Sequence, residues 1–223
     1  KDIQSRNNFN TTVTEDTTGV IYQTTDWKGT SYYFAGAPTD NWVRFGGFYW
    51  RIIRINGDGS IRLIYNGTST TTIGTETLTT TSQSFNSNYD RSEYVGLKYT
   101  SSKQHGQNVD SDILNYLQSW YTNSGLSSPQ FSENIDTNIG FCSDRNVANG
   151  DTWISQPNKV GGSSHDYAAY ERLNTNKKPS LACNSSDIIK EPVGLITADE
   201  VAYAGGIYGQ SNNSYYLYNN QDY

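Results

Sequence analysis

Charge, histidine, cysteine and long apolar runs are all scarce in this sequence, and each shortage excludes something. No stretch of about 20 apolar residues occurs, so nothing in the chain reads as a membrane-spanning helix. Charged residues are only 17% of the 223, and 16 Lys and Arg against 22 Asp and Glu leave a net charge of −6. The basic residues are scattered. Phosphate binding needs them clustered, so nucleic acid is not an expected partner. The only histidines are His105 and His165, and neither shows ligand spacing beside the two cysteines. No metal site and no cofactor are therefore expected. There is no Gly-x-Ser-x-Gly elbow and no glycine motif that would cradle a phosphate. No apolar leader follows Lys1-Asp2, so any export signal or anchor, and with it any membrane contact, is expected outside this sequence.

What the chain has instead is aromatic side chains: 5 Trp, 18 Tyr and 7 Phe. Each can remove on the order of 150–250 Å² from water, enough to build a core despite a mean hydropathy of −0.71. Solubility then rests on Ser, Thr, Asn and Gly, a composition typical of extracellular bacterial proteins. In such a protein an even cysteine count points to a bridge between Cys142 and Cys183. The polar flanks, Phe141-Cys142-Ser143-Asp144 and Ala182-Cys183-Asn184-Ser185, favour it over a pair of buried thiols.

The strongest local signals are strands. Phe45–Ile55 and Ser60–Tyr65 are rich in aromatic and β-branched residues, with the hairpin turn Asn56-Gly57-Asp58-Gly59 between them. Gly19–Gln23 and Ser31–Phe34 read as strands around a turn at Asp26–Thr30. Residues 1–18 are expected as an extended arm and 19–223 as one domain, since no repeat or proline-rich linker divides them. Thr68–Asn88 reads as a long Thr/Ser-rich surface loop. Two helices are expected. One follows an N-cap at Asp110-Ser111-Asp112 and carries Ile113, Leu114, Leu117, Trp120 and Tyr121 on one face, stopping at Gly125. The other opens on the capping box Thr197-Ala198-Asp199-Glu200 and ends by Gly205-Gly206. Pro192–Ile196 is expected to feed it as a buried strand. Phe141–Ala182 between the helices is expected to be irregular.

No arrangement of residues reads as catalytic. Ser163-Ser164-His165-Asp166 places triad residue types side by side, but adjacency in sequence is not a triad. Asp199 and Glu200 fit the first turn of a helix, where negative charge meets the positive dipole end. Asp144-Arg145 reads as a local ion pair ordering the stapled loop. Asn56-Gly57-Asp58-Gly59 lacks the alternating acidic ligands of a calcium loop. The remaining lead is ring plus amide. Trp27, Trp42, Trp153, Tyr167 and Tyr170 sit beside Asn, Asp and Gly, and such pairs could stack and hydrogen-bond a sugar. Anchoring loops to the core is the competing use of the same rings.

Seven segments read together as one pattern: Tyr32-Tyr33-Phe34, Asn41–Ile55, Asn56–Gly67, Ser119-Trp120-Tyr121, Phe141–Arg145, Pro179–Cys183 and Pro192–Gly206. The pattern resembles a widespread uncharacterised domain in surface and secreted proteins of low-GC Gram-positive bacteria and their wall-less relatives (Firmicutes and Mollicutes). More remotely it is similar to the C-type-lectin-like superfamily, which includes formylglycine-generating enzymes. The resemblance implies an α+β, C-type-lectin-like fold: a twisted, mostly antiparallel sheet with two helices and a long irregular insert. It carries over no catalytic residue, since nothing at Cys142 or Cys183 matches the metal-binding cysteines of those enzymes. Domains of this kind continue past Tyr215-Tyr216-Leu217-Tyr218 into further closing strands. Here the sequence stops at Asp222-Tyr223, which leaves strand addition by a neighbour as one expectation.

The expected function is that of a non-enzymatic binding domain, an adhesin or lectin-like module, secreted or on the surface of a Gram-positive-type bacterium. Its expected contacts are Trp153, Tyr167, Tyr170, Asp144 and Asp166, and its expected partner is a glycan or a host or bacterial surface protein. The alternative is a pilin-like subunit that assembles with copies of itself. An enzyme acting on glycans ranks third.

Overall fold

A computed structural model describes residues 1–72, 79, 83–86, 96–99, 108–150 and 166–218. Its strands are β1 (Asp2–Ser5), β2 (Val20–Asp26), β3 (Gly29–Tyr33), β4 (Trp42–Phe45), β5 (Phe48–Ile55), β6 (Ile61–Tyr65), β7 (Lys98–Tyr99), β8 (Val109–Asp110), β9 (Phe141–Cys142) and β10 (Ile188–Ile189). Its helices are α1 (Asp112–Asn123), α2 (Pro129–Ser132), α3 (Ala168–Tyr170) and α4 (Ala198–Ala204). The fold is α+β, a mixed six-stranded sheet with a few short helices. Among the described residues, no helix is long and apolar enough to cross a membrane. The chain forms two compact units.

The first unit, Lys1–Ser82 with Lys177–Ala182 and Ile196–Tyr223, holds the sheet. Its order is β1-β2-β3-β5-β4, with β6 also on β5. Only β1–β2 is parallel; the other pairings are antiparallel, as expected. The expected strand Phe45–Ile55 is in fact broken. Gly46 and Gly47 take φ of +62° and +86°. Two consecutive positive φ values are what a two-residue hairpin turn demands, so β4 folds back on β5 with Phe45 opposite Phe48. The Asn56–Gly59 turn forms where expected, Asn56 N–H donating to the Ser60 carbonyl at 2.8 Å.

Two apolar clusters close this unit. Val13, Tyr33, Ala35, Leu181 and Tyr203 form one; Ile21, Phe34, Ala204, Tyr216 and Leu217 form the other. Helix α4 joins the second through Ala204 and Val201. Its capping box is complete. The Thr197 hydroxyl accepts from Glu200 N–H at 3.1 Å, and the Glu200 carboxylate accepts from Thr197 N–H at 2.9 Å. Thr197→Ala is expected to lower stability by about 1 kcal/mol in a urea titration. A change within error of zero would show that α4 does not need its cap.

Asp199 and Glu200 do more than face a helix dipole. Both are buried, at 5% and 4% exposure. Asp199 accepts from Ser180 N–H at 2.8 Å. Glu200 meets Arg54 Nε at 3.0 Å, with Arg62 Nε at 3.9 Å. Arg54 also bonds Asp26 at 2.9 Å, and Asp26 accepts from Gly57 N–H at 2.9 Å and Lys28 N–H at 2.7 Å. Two arginines and two carboxylates thus neutralise one another inside the unit. Gly57 is required there, because a Cβ would lie 2.5 Å from the Gly29 nitrogen. Burial pulls the Arg62 guanidinium down to about 10, still cationic at neutral pH.

The second unit is Gln83–Asn176 with Cys183–Leu195. Helix α1 forms as expected. Ser111 caps it, accepting from Leu114 N–H at 3.2 Å, and Leu114 and Leu117 are buried with Leu97 and Ile189. Stretch 192–196, expected as a strand, is irregular. Gly194 lies against the Phe141 ring, where a Cβ would come within 2.5 Å, and that close approach replaces strand pairing. The expected Thr68–Asn88 loop lies partly outside the described residues.

Candidate functional site

The second unit contains both bridged cysteines and the stapled segment as far as Asn176. β9 and β10 pair antiparallel, Cys142 opposite Ile188, and Cys142 is bridged to Cys183 with Cα atoms 5.9 Å apart. The expected disulfide is present. Beyond it, residues 143–149 run beside 166–172. Ala148 N–H donates to the Asp166 carbonyl and Ala168 N–H to the Asn146 carbonyl, both at 2.8 Å, around a bridge between Val147 and Tyr167. These bonds form a stem that carries residues 151–165.

Side chains brace the stem. Asp144 pairs with Arg172 at 2.8 Å and accepts from Asn146 N–H and Nδ2 at 3.1 and 2.9 Å. The ion pair of Asp144 is thus with Arg172, where the sequence suggested its neighbour Arg145. Arg172 enters on the helical turn that continues α3, Glu171–Thr175. Arg145 turns inward instead, at 5% exposure. Burial pulls its guanidinium below the usual arginine range, while Asp187 and Tyr167 act in the opposite sense. It lies against Gly96, where a Cβ would stand 2.6 Å from its Cδ. Glu171 accepts from Asn149 N–H at 3.1 Å, closing the far end.

The expected contact residues fall as follows. Asp144, Asp166, Tyr167 and Tyr170 all belong to this stem. Tyr170 is 38% exposed, Tyr167 and Asp166 are half-buried, and Asp144 is held in its ion pair. Trp153 lies outside the described residues, as does Ser163-Ser164-His165. Among the described residues, no three His, Cys, Asp or Glu side chains gather as metal ligands would. Arg172 and Glu171, which fasten the stem, were not legible. Ion pairs that span 28 positions leave no local pattern.

Comparison with family models, with curated proteins and with solved structures finds no match for this chain.

Proposed function

We propose that this chain is a non-enzymatic, extracellular binding domain of C-type-lectin-like type, and that the stapled segment makes the contact. One observation carries this reading. The stem is fixed by a disulfide, two backbone bonds and the Asp144–Arg172 pair, yet Tyr170 stays 38% exposed on it. Fixing a loop before contact lowers the entropy lost on binding. An exposed ring beside carboxylates and amides suits a sugar or a polar protein surface. The disulfide fits an exported protein, secreted or on the surface of a Gram-positive-type cell.

The test is a screen of glycans and surface proteins with wild-type protein, Tyr170→Ala and Trp153→Ala. Either change is expected to weaken the bound partner about tenfold, the worth of one good ring contact. Unchanged binding in both variants would remove the stapled segment as the site.

A pilin-like subunit is the second reading. It draws on β1, whose four residues are all exposed at the edge of the sheet, with Ile3 at 55%. Such a strand could be exchanged for that of a neighbouring copy. A purely monomeric protein at high concentration would speak against it.

A further inference from the structure

The first unit carries a second feature, on the face of the sheet where Arg51 also lies 6.0 Å from the Tyr216 ring centre. β4 and β5 pair Trp42 with Arg51 and Arg44 with Tyr49, so all four side chains share one face of the sheet. They stack in order. The Arg51 guanidinium lies 3.6 Å from the Trp42 ring centre. Trp42 meets Tyr49 edge-on, at 6.5 Å and 88°. The Arg44 guanidinium lies 5.8 Å from the Tyr49 ring centre. The result is a ladder with a cation at each end and two rings between them.

Neither cation has a carboxylate partner among the described residues. Arg51 Nη1 donates to the Asn41 side-chain oxygen at 2.6 Å and the Pro38 carbonyl at 3.1 Å. Its Nε is buried with no acceptor. Arg44 is exposed, with its guanidinium over the Tyr49 ring. Other described cations face carboxylates, Lys1 with Asp40, Arg54 with Asp26 and Glu200, Lys98 with Asp110 and Glu191, and Arg172 with Asp144, whereas the Arg6 guanidinium, like that of Arg51, donates to carbonyls. Asn41, which positions the guanidinium, is itself fully buried, its Nδ2 donating to the Ile52 carbonyl at 3.2 Å. Burial lowers the Arg51 guanidinium to about 10, so it is cationic at neutral pH.

We propose that this face binds an acidic saccharide, its carboxylates taken by Arg51 and Arg44 and its sugar faces laid against Trp42 and Tyr49. Charge complementarity selects an anion, because the protein leaves these two cations unmatched. A planar guanidinium suits a carboxylate oxygen pair. Two rings between the cations suit a chain that alternates apolar faces with spaced charges. Nucleic acid needs a larger cluster of basic residues than the two cations of this face. The site is separate from the stapled segment and does not rest on that reading.

The experiment uses the whole chain and four immobilised probes: polygalacturonate, its methyl ester, polyglutamate and oligo-dT. Polygalacturonate is expected to bind, and esterification, which removes charge but keeps the sugar, to abolish binding. Arg44→Gln, at an exposed position where folding is not at stake, should weaken binding about tenfold. Arg51→Lys, which keeps charge but loses the planar fork, should also weaken it. Glu133→Gln, at an exposed position of the second unit, is the control and should leave it unchanged. Four results would each overturn the proposal: no binding to polygalacturonate, equal binding to its ester, indifference to Arg44→Gln, or tighter binding to polyglutamate or oligo-dT.

Discussion

Glu200→Gln is expected to destabilise the sheet-bearing unit by about 3–5 kcal/mol. The substitution keeps the shape of the side chain, removes its charge and turns one of its two acceptor oxygens into a donor. Arg54 and Arg62 then lose the buried carboxylate that both of them face. Removing one partner's charge from a buried ion-pair network is the main cost. The measurement is a urea titration at pH 7. Adding Arg62→Met should recover part of the loss, because it removes one of the two cations that Glu200 faces. Additive losses in the double variant, or a loss under about 1 kcal/mol in the single one, would sink the account. Acid should reproduce the effect. Burial by itself would raise the Glu200 carboxyl, but the charges of Arg54 and Arg62 and the Thr197 N–H outweigh it and hold it low. As pH falls through the ordinary carboxylate range, the unfolded chain takes up this proton first. The contribution is therefore full above that range and is lost as pH falls toward the folded value. In Glu200→Gln this part of the acid sensitivity should vanish.

Opening the disulfide should cost nearly as much in the second unit. Cys142 and Cys183 are 41 positions apart. Releasing a loop of that length frees the unfolded chain by about 4 kcal/mol in the chain-entropy picture. The double variant Cys142→Ser/Cys183→Ser should therefore lose about that much, read by denaturant titration against the wild type with its bridge intact. The effect should fall on hydrogen exchange of 141–148 and 183–189 before it reaches the six-stranded sheet. A loss below about 1 kcal/mol, or exchange that rises equally everywhere, would show that the stem bonds alone hold the segment.

Much of this architecture was legible because its causes are local. The capping box at Thr197, the Ser111 cap with its apolar spacing and the Asn56–Gly59 turn each sit within a few residues of the structure they dictate. The disulfide followed from parity and flanks. What escaped was of two kinds. Some was local but misread: Gly46-Gly47 is itself a hairpin signal, and the aromatic residues around it masked the break. The rest has no local trace. Nothing near Glu200 announces Arg54, 146 positions away. Likewise Arg51 meets Trp42 only because a two-residue turn sets the register of β4 on β5, so missing that turn hid the ladder. Of the expected contact residues, Tyr167 and Tyr170 could be named as rings beside polar residues, but their bracing by Arg172 and Glu171 could not.

The distance between Arg54 and Glu200 has a meaning for synthesis. Chains grow at roughly 5–20 residues per second, so the two side chains leave the ribosome roughly 7–30 s apart. In that interval β5 and β6 exist without the carboxylate that Arg54 and Arg62 both face. The final helix is the clasp of the first sheet, and the sheet cannot be fastened early. Nascent chains arrested before residue 200 are accordingly expected to remain open to protease, however complete their strands.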